Sequence, residues 1–136
     1  MPIQDAIERI QYHALLVTGI MAAPDQLDFT VENNTAYVLT YLAGGSFGTE
    51  AANQGRDLHN IQSIMTFVGG NEVELVRRSE GMLESFVNKL RADVTLNDTV
   101  QTINGPITYT MSMASPDNTK RLSYIITIPV KLRPVF

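Results

Sequence analysis

The residues able to do chemistry are few: two histidines, some paired carboxylates and one serine set among glycines. A metal site would need His13 and His59 together beside a carboxylate such as Asp57, and the sequence has no HxH or HxxxH spacing. His59 reads as a surface or interface residue. His13, between Tyr12 and Ala14 and off the apolar stripe of its helix, reads as facing solvent or a partner. Ser46 in Gly45-Ser46-Phe47-Gly48 lacks the GxSxG pattern and lies in a stretch too glycine-rich to hold a strained nucleophile. The glycines form no GxGxxG and no GK[ST] follows them, so no phosphate-cradling loop is expected.

The remaining candidates have plainer readings. Glu72 with Glu74 and Glu80 with Glu84 suit the solvated side of a helix. Arg77-Arg78 is too short a basic step for a nucleic-acid groove, and Met111 with Met113 suits core packing. No catalytic residue, cofactor site or metal site is expected, and the chain is not read as an enzyme.

The elements that would carry these residues follow from periodicity. Ile3, Ile7, Ile10, Ala14 and Val17 share one face of a first helix that ends near Gly19. A polar connection over 25–35 leads to a strand from Tyr37 to Leu42, with a further short strand conceivable around Phe29. Glycines 44, 45, 48 and 55 mark a long loop at about 43–56, of a length that is usually functional. Leu58 to Val68 is the second strand of an antiparallel pair. Asn71 with Glu74 forms a capping box for a second helix, with Val73, Val76, Leu83, Val87, Leu90 and Val94 as its apolar stripe and Phe86 beside it. Two alternating runs, from Ile107 to Met113 and from Leu122 to Leu132, make a terminal hairpin across 115–119. Pro129 places the last strand at an edge, or itself at a strand end. The expected fold is α+β in the order α-β-β-α-β-β: one mainly antiparallel sheet of four strands or slightly more, packed on two helices. Residues 1–136 form a single domain of common size.

Composition bounds the setting. With no cysteine, thiol chemistry is excluded and a reducing compartment, or a particle assembled inside a cell, is the expected home. Asp5, Glu8 and Arg9 interrupt any secretory signal pattern, and no stretch nears the ~20 apolar residues of a membrane span. Net charge is −4, which argues against a dedicated nucleic-acid binder. Residues 1–57 hold seven acids and two bases, whereas 58–136 hold seven acids and eight bases. That asymmetry reads either as scatter on a solvated surface or as an acidic face that meets a basic face of another copy.

Several local phrases recur together along the chain. They are the opening helix closing on Gly19-Ile20 and Ala23-Pro24, and Arg56-Asp57-Leu58-His59 entering a strand after a long loop. Then come a helix from 72 to about 93 running into Thr95-Leu96-Asn97-Asp98-Thr99-Val100, Gly105-Pro106-Ile107-Thr108-Tyr109, and the C-terminal strand. In order and length the chain resembles the tail terminator (tail completion, head–tail joining) proteins of long-tailed bacteriophages, the minor tail protein U-like group. The resemblance implies a mixed α/β subunit in a six-membered homo-oligomeric ring at the head-proximal end of a virion tail, assembled in the host cytoplasm. Such a ring caps the tail tube protein, meets a head connector or stopper protein, and lets DNA pass only as cargo; no membrane and no catalytic residue belong to it.

Phe47, Glu50, Arg56, Asp57 and His59 around the loop, and Lys120, Arg121 and Arg133 of the acid-free C-terminal stretch, are the candidate subunit or partner contacts. Asp25, Asp28 and Glu32 are candidate lumen acids. The alternatives are another neck component (a head completion or stopper protein), or a small ligand-binding or enzymatic domain resting on Asp57 and His59.

Overall fold

The computed structural model describes residues 2–18, 37–47, 58–68, 72–114 and 121–132. In chain order they form α1 (Pro2–Thr18), β1 (Tyr37–Ser46), β2 (Leu58–Val68), α2 (Glu72–Arg91), β3 (Thr102–Ile103), β4 (Thr108–Ala114) and β5 (Arg121–Lys131). All strand pairs are antiparallel in one five-stranded sheet, with β1 beside β2, β2 beside β5, and β3 and β4 sharing the far side of β5. The expected α+β class and element order hold, with the short β3 as an addition. The Asn71 cap, the strand near Phe29, the 115–119 turn and Asp25, Asp28 and Glu32 lie outside the described residues.

Strict alternation builds the core. Leu122, Tyr124, Ile126, Ile128, Val130 and, just past the strand, Leu132 are all buried, and the five on β5 lie opposite Phe67, Met65, Ser63, Ile61 and His59 of β2. Both helices cover this face: Ala6, Ile10 and Ala14 from α1, and Leu75, Leu83, Phe86 and Leu90 from α2. Burying a large apolar side chain contributes about 1.5–3 kcal/mol, so this one cluster supplies the main stabilisation of the subunit.

The second helix keeps most of its expected stripe, with Leu83, Phe86 and Leu90 buried and Val76 and Val87 packed against the core, and departs from it at its first turns. Val73 and Val94 are exposed, while Leu75, Ser79, Leu83, Phe86 and Leu90 form the buried line. Ser79 tolerates that position because its hydroxyl bonds the Val76 carbonyl at 3.0 Å and the buried Tyr124 hydroxyl at 3.2 Å. Ser79→Ala should lower stability by about 1–2 kcal/mol, measured as the urea midpoint, because it strands the Tyr124 hydroxyl. Tyr124→Phe made together with it should recover part of that loss.

Pro129 lies in a central strand, not at an edge or a strand end. Its carbonyl accepts the Asn104 N–H at 2.8 Å, so its missing N–H faces the β3–β4 side of the sheet. On that side the partner is broken. Ile103 pairs with Val130 and Thr108 with Thr127, a register that carries two extra residues around Gly105. The strand that would have wanted the absent donor steps away from it.

Candidate functional site

The stretch expected as a loop at 43–56 begins as strand. β1 continues to Ser46, with Gly44 opposite Asn60, Gly45 opposite His59 and Ser46 opposite Leu58. A one-residue bulge at Ala43 shifts the register, so Gly45 lands on the same face as Leu42. Residues 42–47 are all exposed, and so are Leu58 and Asn60. The distal end of β1, residues 43–47, therefore forms an exposed arm along β2, which itself stays paired with β5 from Leu58 onward.

Two close contacts fix the arm. A Cβ on Gly45 would lie 2.5 Å from the Leu58 carbonyl oxygen and 2.6 Å from His59 Nδ1. The Phe47 ring packs on the His59 ring at 4.5 Å between centroids, tilted by 59°. His59 is thereby only 2% exposed, which corrects its expected surface position. Phe47, by contrast, remains 67% exposed on the outer side of that stack. With Leu42, which shares the His59 face, it gives the arm an apolar side, while the exposed Leu58 stands on the other face of the sheet.

Of the other expected contact residues, Arg121 is half-buried where β5 begins, opposite Val68 of β2 and Ala114 of β4. Glu50, Arg56, Asp57, Lys120 and Arg133 lie outside the described residues.

A second exposed apolar patch lies across the sheet. Tyr109 and Met111 are 57% and 55% exposed, although both stand on the helix-covered face of β4. They line a groove of about 520 Å³ between α2 and β4, with Leu83, Val87 and Ile107 inside and Glu80, Glu84 and Arg91 also lining it. Core packing was expected for both methionines. Only Met113 meets that expectation, being half-buried against the core.

The polar cluster that sequence inspection missed joins α1 to the segment after α2. Asp93 Oδ2 accepts from Arg9 Nε at 2.9 Å and lies 2.8 Å from His13 Nε2, while Asp93 Oδ1 accepts the Asn97 N–H at 2.9 Å. His13 is 6% exposed, not facing solvent or a partner, and its Nδ1 finds no hydrogen bond among the described residues. Burial pulls the Asp93 carboxyl up. The hydrogen bonds from His13, Asn97 and Arg9 and the Arg9 charge outweigh that and hold it below the usual carboxylate range. Beside it Leu96, Asn97 and Asp98 have φ of 50°, 56° and 68°, three consecutive left-handed residues without a glycine.

Among the described residues no group of three or more His, Asp or Glu side chains could hold a metal ion. Among the described residues no helix is long and apolar enough to cross a membrane. In comparison with known proteins, no family model matches the chain and no curated sequence matches it.

Proposed function

We propose that this chain is a structural assembly protein of the tail-terminator kind. Its copies form a closed ring that caps a tail tube and presents a surface to the head connector. The observation that carries the reading is the end of β1, set closely against β2 at Gly45 and His59 while Leu42 and Phe47 stay exposed. Exposed apolar side chains packed in place on a strand suit recognition, since an anchor already ordered in the free subunit loses little entropy on docking. A contact between different patches of identical subunits closes into a ring when the rotation allows. The role assigns no catalytic residue, and its partners are other copies, the tube protein and a connector or stopper protein.

The test is to mix the purified chain with tail tubes and view the tube ends by electron microscopy. Rings and capped ends are the expected outcome. A chain that light scattering shows to be monomeric and that also leaves tube ends bare would overturn the reading. Phe47→Ala should weaken capping by about tenfold or more, as loss of an interface anchor does. Its melting temperature should fall by only about 3 °C or less, because the ring is mostly solvent-exposed.

A further inference from the structure

We propose that the contact between copies is made by sheet continuation, with the β1 edge of one subunit pairing antiparallel with the β4 edge of the next. This rests on the ring reading above and names the surface that would close it. Among the described residues β1 ends the sheet on one side and β4, with the two-residue β3, on the other, each paired with one strand only. Neither carries a charged residue or a proline, as YVLTYLAGGS and TYTMSMA show. Sheet edges are ordinarily blunted by charge or proline, and an edge left without them is a template for another strand.

Direction and face both agree. Successive antiparallel neighbours β1, β2, β5 and β4 alternate in direction, so a following β1 restores the alternation beside β4 and keeps the helices on one side. Near its start the β1 edge is already occupied, because Gln11 of α1 donates to the Val38 carbonyl at 2.9 Å. The pairing stretch is therefore the distal part, from Thr40 into the arm. There the exposed Leu42, on the helix-side face, meets the exposed Tyr109 and Met111 of the neighbour, which stand on the same face.

Size decides how such a contact behaves. The seven residues of β4 offer an edge ~23 Å long at ~3.3 Å per residue. With a strand layer ~10 Å deep and no helix over either edge there, two such faces bury on the order of 500 Å², well under the ~1,000 Å² of a lasting complex. One contact is weak by itself, whereas a closed ring gives every subunit two. Subunits should stay apart when dilute and close into rings when concentrated or seated on a tube.

The chain has no native cysteine, so engineered ones report cleanly. Residues on β1 and β4 of one subunit are separated by three strand spacings, ~14 Å, and a disulfide needs Cα atoms within ~7 Å. The double variant Leu42→Cys/Met111→Cys, oxidised at ring-forming concentration, should therefore give a covalent ladder beyond dimers. Leu42→Cys/Tyr109→Cys covers the neighbouring register, and a mixture of single variants should stop at dimers. Met111→Lys, at an exposed position, should raise the concentration needed for rings at least ~10-fold without unfolding the subunit.

Three results would overturn the pairing: rings that form without a ladder from either double variant, covalent homodimers from Met111→Cys alone (β4 against β4), and a ladder abolished by added tail tubes (a tube-protein strand on β4). Rings without the ladder would leave the proposed function standing. A ladder from a chain that never caps tubes would leave the pairing standing and remove the function.

Discussion

Gly45→Val should destabilise the subunit by about 3 kcal/mol and lower its melting temperature on the order of 10 °C, whereas Gly44→Ala should be nearly neutral. The two glycines are adjacent in sequence and opposite in constraint. A Cβ at Gly44 meets nothing within 4 Å, whereas at Gly45 it meets backbone, 2.5 Å from the Leu58 carbonyl oxygen and 2.7 Å from the His59 Cα. Backbone atoms cannot rotate away as a side-chain end can. Gly45 also has φ of 154°, outside the range that side-chain-bearing residues ordinarily adopt. The relief open to a valine is to lift β1 off β2 beyond the Ala43 bulge, which uncovers His59 and separates it from Phe47. Thermal unfolding of the two variants side by side checks this, together with amide exchange at His59 and Asn60. Equal stability of the two would mean that the arm is not pressed against β2 as described. If the arm is also the interaction surface, Gly45→Val should lose ring formation at temperatures where the subunit is still folded.

That contrast marks how far sequence reading reaches. Glycine content between 43 and 56 argues for a loop, and for free chain it would be right. Gly44 and Gly45 instead serve a bulge and a close approach within a strand, a use that shows only when His59 is in place opposite. Leu122 to Leu132 is legible because one strand buries one whole face, so the alternation is uninterrupted. The stripe of α2 goes wrong only at Val73, because there the buried line runs through Leu75 and Ser79, a polar residue buried by virtue of Tyr124 on another element. His13 is misread for the same reason: the partner that lets it be buried, Asp93, lies 80 residues away. Tyr109 and Met111 alternate like core residues and sit on the core face, yet α2 leaves them uncovered. Among the candidate contacts Phe47 is exposed, and the exposure of Leu42 is not legible in sequence, since nothing in a local pattern marks where a strand leaves the cover of its helices.

Asp93→Ala should destabilise the subunit by about 2–4 kcal/mol, because three separate donors lose their acceptor at once. Arg9 and His13 would be left on the inner side of α1, and the left-handed turn would lose its bond from Asn97. Left-handed backbone costs roughly 1–2 kcal/mol per residue for a side chain such as Leu96. The turn is also held by the Thr99 hydroxyl on the Leu96 carbonyl at 2.8 Å, by the Asp98 N–H on the Thr95 hydroxyl, by backbone bonds from Leu96, Thr99 and Val100, and by the burial of Leu96 and Val100. The effect should also depend on pH. A carboxyl held below its ordinary value near 3.8 favours the folded state whenever it is ionised, so its contribution is complete above that value. It is lost as pH falls through the lower folded value. Urea midpoints of the wild type and Asp93→Asn should therefore differ most near neutral pH and converge in acid. A gap that stayed constant down to about pH 2 would mean that the carboxylate charge is not what the cluster uses. Asn97→Gly supplies the complementary check, since it removes left-handed strain while keeping the N–H that Asp93 accepts. It should be neutral or stabilise by up to about 1 kcal/mol in the wild type. In the Asp93→Ala background the gain should be larger, because there the strain has lost its support and the two sites share one turn.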